Sequence, residues 1–109
     1  MNDPVNWIDP LGLYQVCTRP VNGLPMFDHS YIKFPEGDTI SWGPEGNPLG
    51  GPGKNNANDS GGTCGPDQKS SPEQDQRMRD WAKQNERNRY WPVGNNCHNF
   101  VRGAIGAGR

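Results

Sequence analysis

The chain has 109 residues, of which 15 are glycine and 11 are proline, and its mean hydropathy is -1.00. This length and polarity predict one small domain with a thin core and exclude two full domains. The net charge of -1 argues against a phosphate-binding protein, and the sequence predicts neither a membrane span nor a secretory signal peptide.

The first thirteen residues, MNDPVNWIDPLGL, form a turn-rich segment with two Asp-Pro steps. Pro4, followed by four residues and then by DPLGL, resembles the PxxxxDPxGL junction that closes the shell of Rhs (YD-repeat) polymorphic toxins. In that family the shell's aspartyl protease activity cuts after the final leucine. The resemblance therefore implies a cut between Leu13 and Tyr14 at a processing site made of Asp9, Pro10, Gly12 and Leu13.

The same resemblance divides the chain into two parts. Residues 1–13 are expected to be the end of the Rhs shell, and residues 14–109 a C-terminal toxin domain. It implies an antibacterial effector that is delivered to a competitor cell by type VI secretion. The expected partners are the parent Rhs shell before release and a cognate immunity protein.

Three short β-prone runs follow the junction. Residues 14–17 (YQVC) predict a first strand, and residues 18–28, with two prolines and an Asn-Gly pair, predict a loop. Residues 29–34 and 38–42, on either side of a Glu-Gly turn, predict a β-hairpin. Alternation along the first hairpin strand places His29, Tyr31 and Lys33 on one face and Ser30, Ile32 and Phe34 on the other.

Residues 43–69 hold eight glycines and four prolines. A segment of this composition buries little apolar surface. We therefore expect it to be a flexible loop, either disordered or pinned to the domain.

Cysteines stand at positions 17, 64 and 97, and no paired spacing suggests a zinc site or any other metal site. Cys17 and Cys64 either form a disulfide or remain free, which leaves Cys97 for chemistry. A bond between the first two would stabilise a domain this small by roughly 3–4 kcal/mol. It would also indicate an oxidising compartment.

Two helices are predicted in the last third of the chain. Ser71 as N-cap, Pro72 at the first helical position and Gln74 three residues after the cap begin the first, which is expected to reach about Asn88. Its inward residues are expected to be Met78, Trp81 and Ala82. Acids interleaved with its bases disfavour nucleic-acid binding.

The second helix is expected to start at an Asn96 N-cap, which places Cys97 in the first turn. Its predicted inner face is Cys97, Phe100, Val101, Ala104 and Ile105.

A thiol in the first turn of a helix is favoured as a thiolate by the helix dipole and by free backbone N–H groups. Cys97 is therefore the candidate nucleophile, and His29 the candidate base. Ser41 and Glu45 are both candidates to orient the imidazole, because a one-residue register change exchanges the faces of the strand. His98 is expected to point away from Cys97.

A histidine at the start of a strand, a hairpin and an Asn-Cys-x-x-Phe-Val helix start together resemble the circularly permuted papain-like hydrolases. That group includes NlpC-like peptidases and relatives of lecithin:retinol acyltransferase. The resemblance implies an α+β fold, a small antiparallel sheet packed on two helices, without a cofactor. It carries His29 over as base and Cys97 as nucleophile, and Ser41 stands where the family often has a second histidine. The surrounding residues are Asn96, Phe100 and Val101, and Tyr90 and Trp91 are candidates to line a substrate cleft.

The leading hypothesis is a cysteine hydrolase or acyltransferase that acts on a cell-wall peptide, a protein side-chain amide or a lipid ester. The periplasm is favoured over the cytoplasm as its place of action if Cys17 and Cys64 are bonded. A second hypothesis is a nuclease that uses His29 and His98 for acid–base cleavage of nucleic acid. A third is a toxin that blocks its partner without catalysis.

Overall fold

A computed structural model describes residues 12–21, 24–44, 51–90 and 96–109. The strands are β1 (Gly12–Val21), β2 (Leu24–Lys33), β3 (Thr39–Pro44), β4 (Gly51–Asn56), β5 (Thr63–Cys64), β6 (Gln68–Ser70) and β7 (Arg89–Tyr90). The helices are α1 (Pro72–Asn85) and α2 (Cys97–Gly108).

The strands form one small sheet in the order β5-β1-β2-β3-β4-β7, and β6 also pairs with β1. All the described pairings are antiparallel. The fold class is therefore α+β, with a small antiparallel sheet and two helices, as the sequence predicts.

The start of helix α1 follows the predicted capping pattern. The Ser71 hydroxyl accepts a hydrogen bond from the backbone N–H of Gln74 at 3.1 Å, and Pro72 opens the helix. Met78 and Ala82 are buried as expected, and Trp81 is half-buried. The helix ends at Asn85 rather than near Asn88, because the chain turns there to pair β7 with β4.

Helix α2 begins at the predicted cap. The Asn96 side-chain oxygen accepts hydrogen bonds from the backbone N–H groups of His98 and Asn99. The buried residues of this helix include Phe100, Val101 and Ala104, and Ile105 is half-buried against them. The predicted inner face of the helix is thereby confirmed.

The core lies between one face of the sheet and the two helices. Ile32, Phe34, Ile40 and Trp42 come from β2, the turn after it and β3, and they pack against side chains of both helices. The Trp42 and Phe100 rings stack with centroids 4.7 Å apart, and Trp42 Nε1 donates to the backbone oxygen of Glu86.

The β2–β3 turn is tied to α1 by a charged contact. The Arg79 guanidinium donates two hydrogen bonds to Asp38, at 2.8 and 3.0 Å, and one to Glu36 at 3.1 Å. It also lies over the Phe34 ring, 4.1 Å from its centroid. The predicted hairpin is confirmed, and this arginine fixes its turn on the helix side of the sheet.

Two predictions about irregular segments are wrong. Residues 18–28 are not a loop, because β1 continues to Val21 and its partner β2 already begins at Leu24. Residues 43–69 are not without regular structure, because β4, β5 and β6 lie within them or end just beyond. In both places backbone pairing across the sheet outweighs the local preference of glycine and proline for turns. In the part of the chain that the structure describes, neither helix has the length and apolar character needed to cross a membrane.

Candidate functional site

Alternation along the strands gives the sheet two different faces. Ile32, Phe34 and Ile40 point to the helices, whereas His29, Tyr31 and Ser41 lie on the opposite face. The predicted division of strand β2 is therefore confirmed. We call the side that carries His29 the polar face.

On the polar face, the structure brings two predicted site residues together. His29 Nε2 lies 2.6 Å from Ser41 Oγ, and the His29 ring stacks on Tyr31 with centroids 6.1 Å apart. His29 is 9% exposed and Ser41 4% exposed. This hydrogen bond orients the imidazole from its Nε2 edge.

A carboxylate that the sequence did not single out completes this group. The Ser41 hydroxyl donates to Asp59 Oδ2 at 2.5 Å, and His29 Nε2 lies 3.4 Å from the same oxygen. Arg19 holds Asp59 through two parallel bonds, from Nε to Oδ1 at 3.0 Å and from NH2 to Oδ2 at 2.9 Å. Such paired contacts fix both the position and the orientation of a carboxylate.

The segment that carries Asp59, residues 57–65, is attached to the sheet at several points. Backbone atoms of Ala57 and Asp59 bond to Thr39, and the Gly62 N–H donates to the Tyr31 hydroxyl at 3.1 Å. Cys64 is joined to Cys17 of β1 by a disulfide. The loop closure predicted as one of two alternatives is therefore present, and it anchors the end of this segment.

The network sets the protonation of its members. Burial lowers the pKa of His29, the Arg19 charge and His98 act in the same direction, and Asp59 opposes them. Burial by itself raises the pKa of Asp59, but hydrogen bonds from Arg19, Ser41 and the Ser60 N–H outweigh it and hold that pKa below its usual range. At neutral pH the site therefore contains a neutral imidazole and an ionised carboxylate.

Cys97 stands at the first position of α2 and is 5% exposed. Burial raises the pKa of its thiol, although the backbone N–H groups of Ser30, His98 and Cys97 itself favour the thiolate. The expectation of a thiol pKa lowered by the helix start is wrong. Burial destabilises the thiolate by removing it from water, and this effect on the pKa is larger than the opposing effect of the three N–H groups.

The two halves of the proposed dyad are carried by elements that pack together, helix α2 and strand β2. The backbone N–H of Ser30, the residue that follows His29, is among the groups that lower the pKa of Cys97. Among the described residues, no hydrogen bond joins the His29 ring to the Cys97 thiol. His98 is exposed, and its Nδ1 lies 2.9 Å from Ser30 Oγ.

The remaining predicted site residues are placed only in part. Asn96 caps α2 directly before Cys97, and the backbone of Tyr90 pairs with Gly51. Gly12 and Leu13 begin β1 and pair with Ser70 and Lys69 of β6, so cleavage after Leu13 in the folded chain requires these pairs to open. Trp91, Glu45, Asp9 and Pro10 lie outside the described residues.

Asp59 is the residue that the sequence analysis missed. It stands in the Gly- and Asn-rich part of the predicted loop, where aspartate is an ordinary turn residue. Its distance from His29 along the chain is bridged by long-range contacts, which include the pairing of β3 with β4, the bonds to Thr39 and the Cys17–Cys64 disulfide. The local signal that pointed to Asp59 is its place shortly before Cys64, a cysteine that the sequence analysis had named as a disulfide candidate.

Within the described ranges, no group of three or more His, Cys, Asp or Glu side chains is arranged to hold a metal ion. Comparison of the chain with protein-family models, curated proteins and solved structures finds no match. The class that can be stated for this protein is therefore that of its fold, a small α+β domain with a hydrogen-bonded His29-Ser41-Asp59 group and a buried free cysteine at the start of α2.

Proposed function

We propose that this protein is a cysteine-dependent acyl-transfer enzyme that hydrolyses an amide or ester bond, with Cys97 as nucleophile and His29 as base. The observation that supports it best is the meeting of two elements. The start of α2, which carries Cys97, packs against β2, which carries His29, and the His29 ring is held at Nε2 by Ser41. A nucleophile, a base and a group that orients the base are the parts that such chemistry needs.

The protonation states favour general-base catalysis over a preformed ion pair. The pKa of Cys97 is raised by burial and the pKa of His29 is lowered by burial, so thiol and imidazole both rest in their neutral forms at neutral pH. In the reaction, the Cys97 proton passes to His29 as the sulfur attacks the substrate carbonyl carbon. His29 lies on the polar face, whereas α2 packs on the other face of the sheet, so the step requires the start of α2 and the His29 ring to move together when substrate binds.

The rest of the cycle follows from the same groups. His29 returns the proton to the leaving amine or alcohol, and an acyl thioester remains on Cys97. Water then attacks the thioester while His29 takes its proton, which releases the acid and restores the thiol. The backbone N–H of Cys97, at the start of α2, is a donor suited to the oxyanion.

The biological setting rests on the resemblance of residues 4–13 to the Rhs junction. It is that of an antibacterial effector released from an Rhs shell and restrained by an immunity protein. The Cys17–Cys64 disulfide supports action in an oxidising compartment such as the periplasm. Peptide amides of the cell wall or acyl esters of lipids are the substrate classes available there.

Expression of the protein with an export signal in a bacterial host tests the proposal. Cys97→Ala should abolish killing, while His98→Gln should remain toxic, provided that both variants are folded as judged by circular dichroism. The nuclease hypothesis predicts the reverse, with rapid loss of cellular RNA or DNA. If Cys97→Ala kills as well as the unmodified protein, the cysteine mechanism is wrong.

A further inference from the structure

The Ser41 hydroxyl occupies the centre of the polar group, and it has only one hydrogen to donate. Its oxygen lies 2.6 Å from His29 Nε2 and 2.5 Å from Asp59 Oδ2. A hydroxyl between two such neighbours donates to one and accepts from the other. Which neighbour takes the hydrogen decides which nitrogen of His29 carries a proton.

Asp59 can only accept hydrogen bonds at this position. Its carboxylate receives two N–H groups from Arg19, the backbone N–H of Ser60 and the Ser41 hydroxyl. These contacts hold the pKa of Asp59 below its ordinary value, against the opposing effect of burial. An ionised carboxylate has no hydrogen to give, so the Ser41 hydrogen points to Asp59.

The Ser41 oxygen is therefore an acceptor toward His29. We propose that Asp59 is a positioning residue that acts through Ser41 to keep neutral His29 in the Nε2–H form, which leaves Nδ1 as the basic nitrogen. The role of Nδ1 as the base toward Cys97 rests on the proposed function. The assignment of the proton within the His29-Ser41-Asp59 group stands on these contacts alone.

The same carboxylate has a second effect once His29 takes a proton. Among the residues that the structure describes, the titratable groups that act on the ring are Asp59, Arg19 and His98, and of these Asp59 favours the imidazolium. Its Oδ2 lies 3.4 Å from Nε2, close enough to stabilise the positive charge. Arg19 bonds to Asp59 rather than to the ring, so it orients the carboxylate.

Asp59→Asn provides the sharpest variant, because it keeps the shape and removes the charge. The amide that this substitution introduces can donate to Ser41, which frees the Ser41 hydrogen to turn to His29 Nε2. We expect the dominant neutral form to change from Nε2–H to Nδ1–H. Asp67→Asn makes the same chemical change at an exposed position and serves as the matched control.

The experiment is a long-range proton–nitrogen NMR spectrum of the imidazoles in the full chain at about pH 8, well above the ordinary histidine pKa of about 6.5. His98→Gln assigns the two ring systems. The Nε2–H pattern at His29 in the unmodified protein and in Asp67→Asn supports the proposal. An Nδ1–H pattern in the unmodified protein, or an unchanged pattern in folded Asp59→Asn, overturns it.

Ser41→Ala provides a second test if Asp59→Asn does not fold. The effect of Asp59 passes to His29 through the Ser41 oxygen, which accepts from Nε2, so removal of the hydroxyl should abolish the preference for the Nε2–H form. An unchanged Nε2–H pattern in folded Ser41→Ala would show that the effect does not pass through Ser41, and would overturn the proposal.

Toxicity after export separates this inference from the proposed function. We expect Asp59→Asn to lose killing activity by about a hundredfold or more, the lower range of general-base effects, and Asp67→Asn to retain it. A changed NMR pattern with full toxicity would support the role of Asp59 and contradict His29 as the catalytic base. An unchanged NMR pattern in folded Asp59→Asn, together with toxicity that depends on Cys97, would overturn the role of Asp59 and leave the proposed function standing.

Discussion

The two faces of the sheet are built from alternate residues of the same strands, yet different forces hold them. On the helix side, Ile32, Phe34, Ile40 and Trp42 pack against α1 and α2, and burial of apolar surface stabilises that side. On the polar face, Tyr31 and Ser41 are equally buried, but their cover is residues 57–65, a segment of small and polar residues.

This difference separates stability from chemistry within one thin sheet. An unpaired polar group on the helix side would destabilise the domain. The polar face is instead held by hydrogen bonds, by the Arg19–Asp59 ion pair and by the Cys17–Cys64 disulfide. Loss of apolar contacts or of the disulfide should strongly destabilise the domain. Loss of single hydrogen bonds on the polar face should leave the domain folded and disable the site.

The largest effect is expected from an aromatic residue on the helix side. Trp42→Ala removes a ring that is 1% exposed and stacked on Phe100, and should lower the free energy of unfolding by about 3–5 kcal/mol. Tyr31→Phe, at an equally buried ring on the polar face, removes only the bond to Gly62 and should cost about 1 kcal/mol. Urea unfolding measures both losses of unfolding free energy. Equal losses would contradict the expectation that the two faces contribute differently to stability.

Removal of the disulfide should weaken the polar face in particular. The bond joins residues 47 apart in sequence. A Cys17→Ala/Cys64→Ala double variant should lose about 4 kcal/mol on the chain-entropy estimate. Hydrogen exchange should first accelerate at Gly62 and Gly65, whose amides bond to β2 and β1. Cys97→Ala, which removes a cysteine without breaking a disulfide, is the control. Uniform acceleration of hydrogen exchange over the whole chain would contradict the prediction.

Two helix caps allow a matched test of Cys97. Asn96→Ala and Ser71→Ala each remove a side-chain cap and should each cost about 1 kcal/mol. Fraying at Asn96 exposes the first turn of α2, so iodoacetamide should label Cys97 faster in Asn96→Ala only. Equal labelling in the two variants would show that the cap does not protect the thiol.

The smallest effects are expected from pH. The pKa of His29 is lowered in the folded protein, so its contribution to stability is present above the ordinary value of 6.5 and is lost as pH falls below it. The pKa of Cys97 is raised, so its contribution is present below 9.0 and is lost as pH rises through the folded value.

Unfolding free energies measured across this range should therefore decline on both sides. Cys97→Ala should flatten the alkaline decline without changing the acidic one. In the unmodified protein, labelling of Cys97 should stay slow at neutral pH and increase only in the alkaline range. Fast labelling at pH near 6 would contradict the raised pKa.

Local sequence signals predicted the features that depend on neighbouring residues. The Ser71 and Asn96 caps, the Pro72 start and the hairpin around Glu36-Gly37 follow from hydrogen bonds and backbone preferences within a few positions. The approach of His29 to the neighbouring strand was also predicted, with Ser41 and Glu45 as alternative partners, because adjacent strands of a hairpin bring such positions together, and the structure places Ser41 there.

The same signals failed where distant segments pair. Glycine and proline in residues 43–69 predicted a loop and hid its strands, since β4 gains its hydrogen bonds from β3 and β5 gains its own from β1. Asp59 reaches the site through that pairing together with the disulfide and side-chain contacts from distant residues. Its partners Arg19 and Ser41 are 40 and 18 positions away in the chain.

The sequence by itself determined an α+β class, both helix starts, the alternation that separates His29 from the core, and Cys97 in the first turn of α2. Each of these is set by contacts between near neighbours in the chain. Only the tertiary structure decided that Cys17 meets Cys64, that Asp59 joins His29, and that burial outweighs the helix start at the Cys97 thiol. Those three depend on which surfaces lose contact with water and on which distant backbones pair.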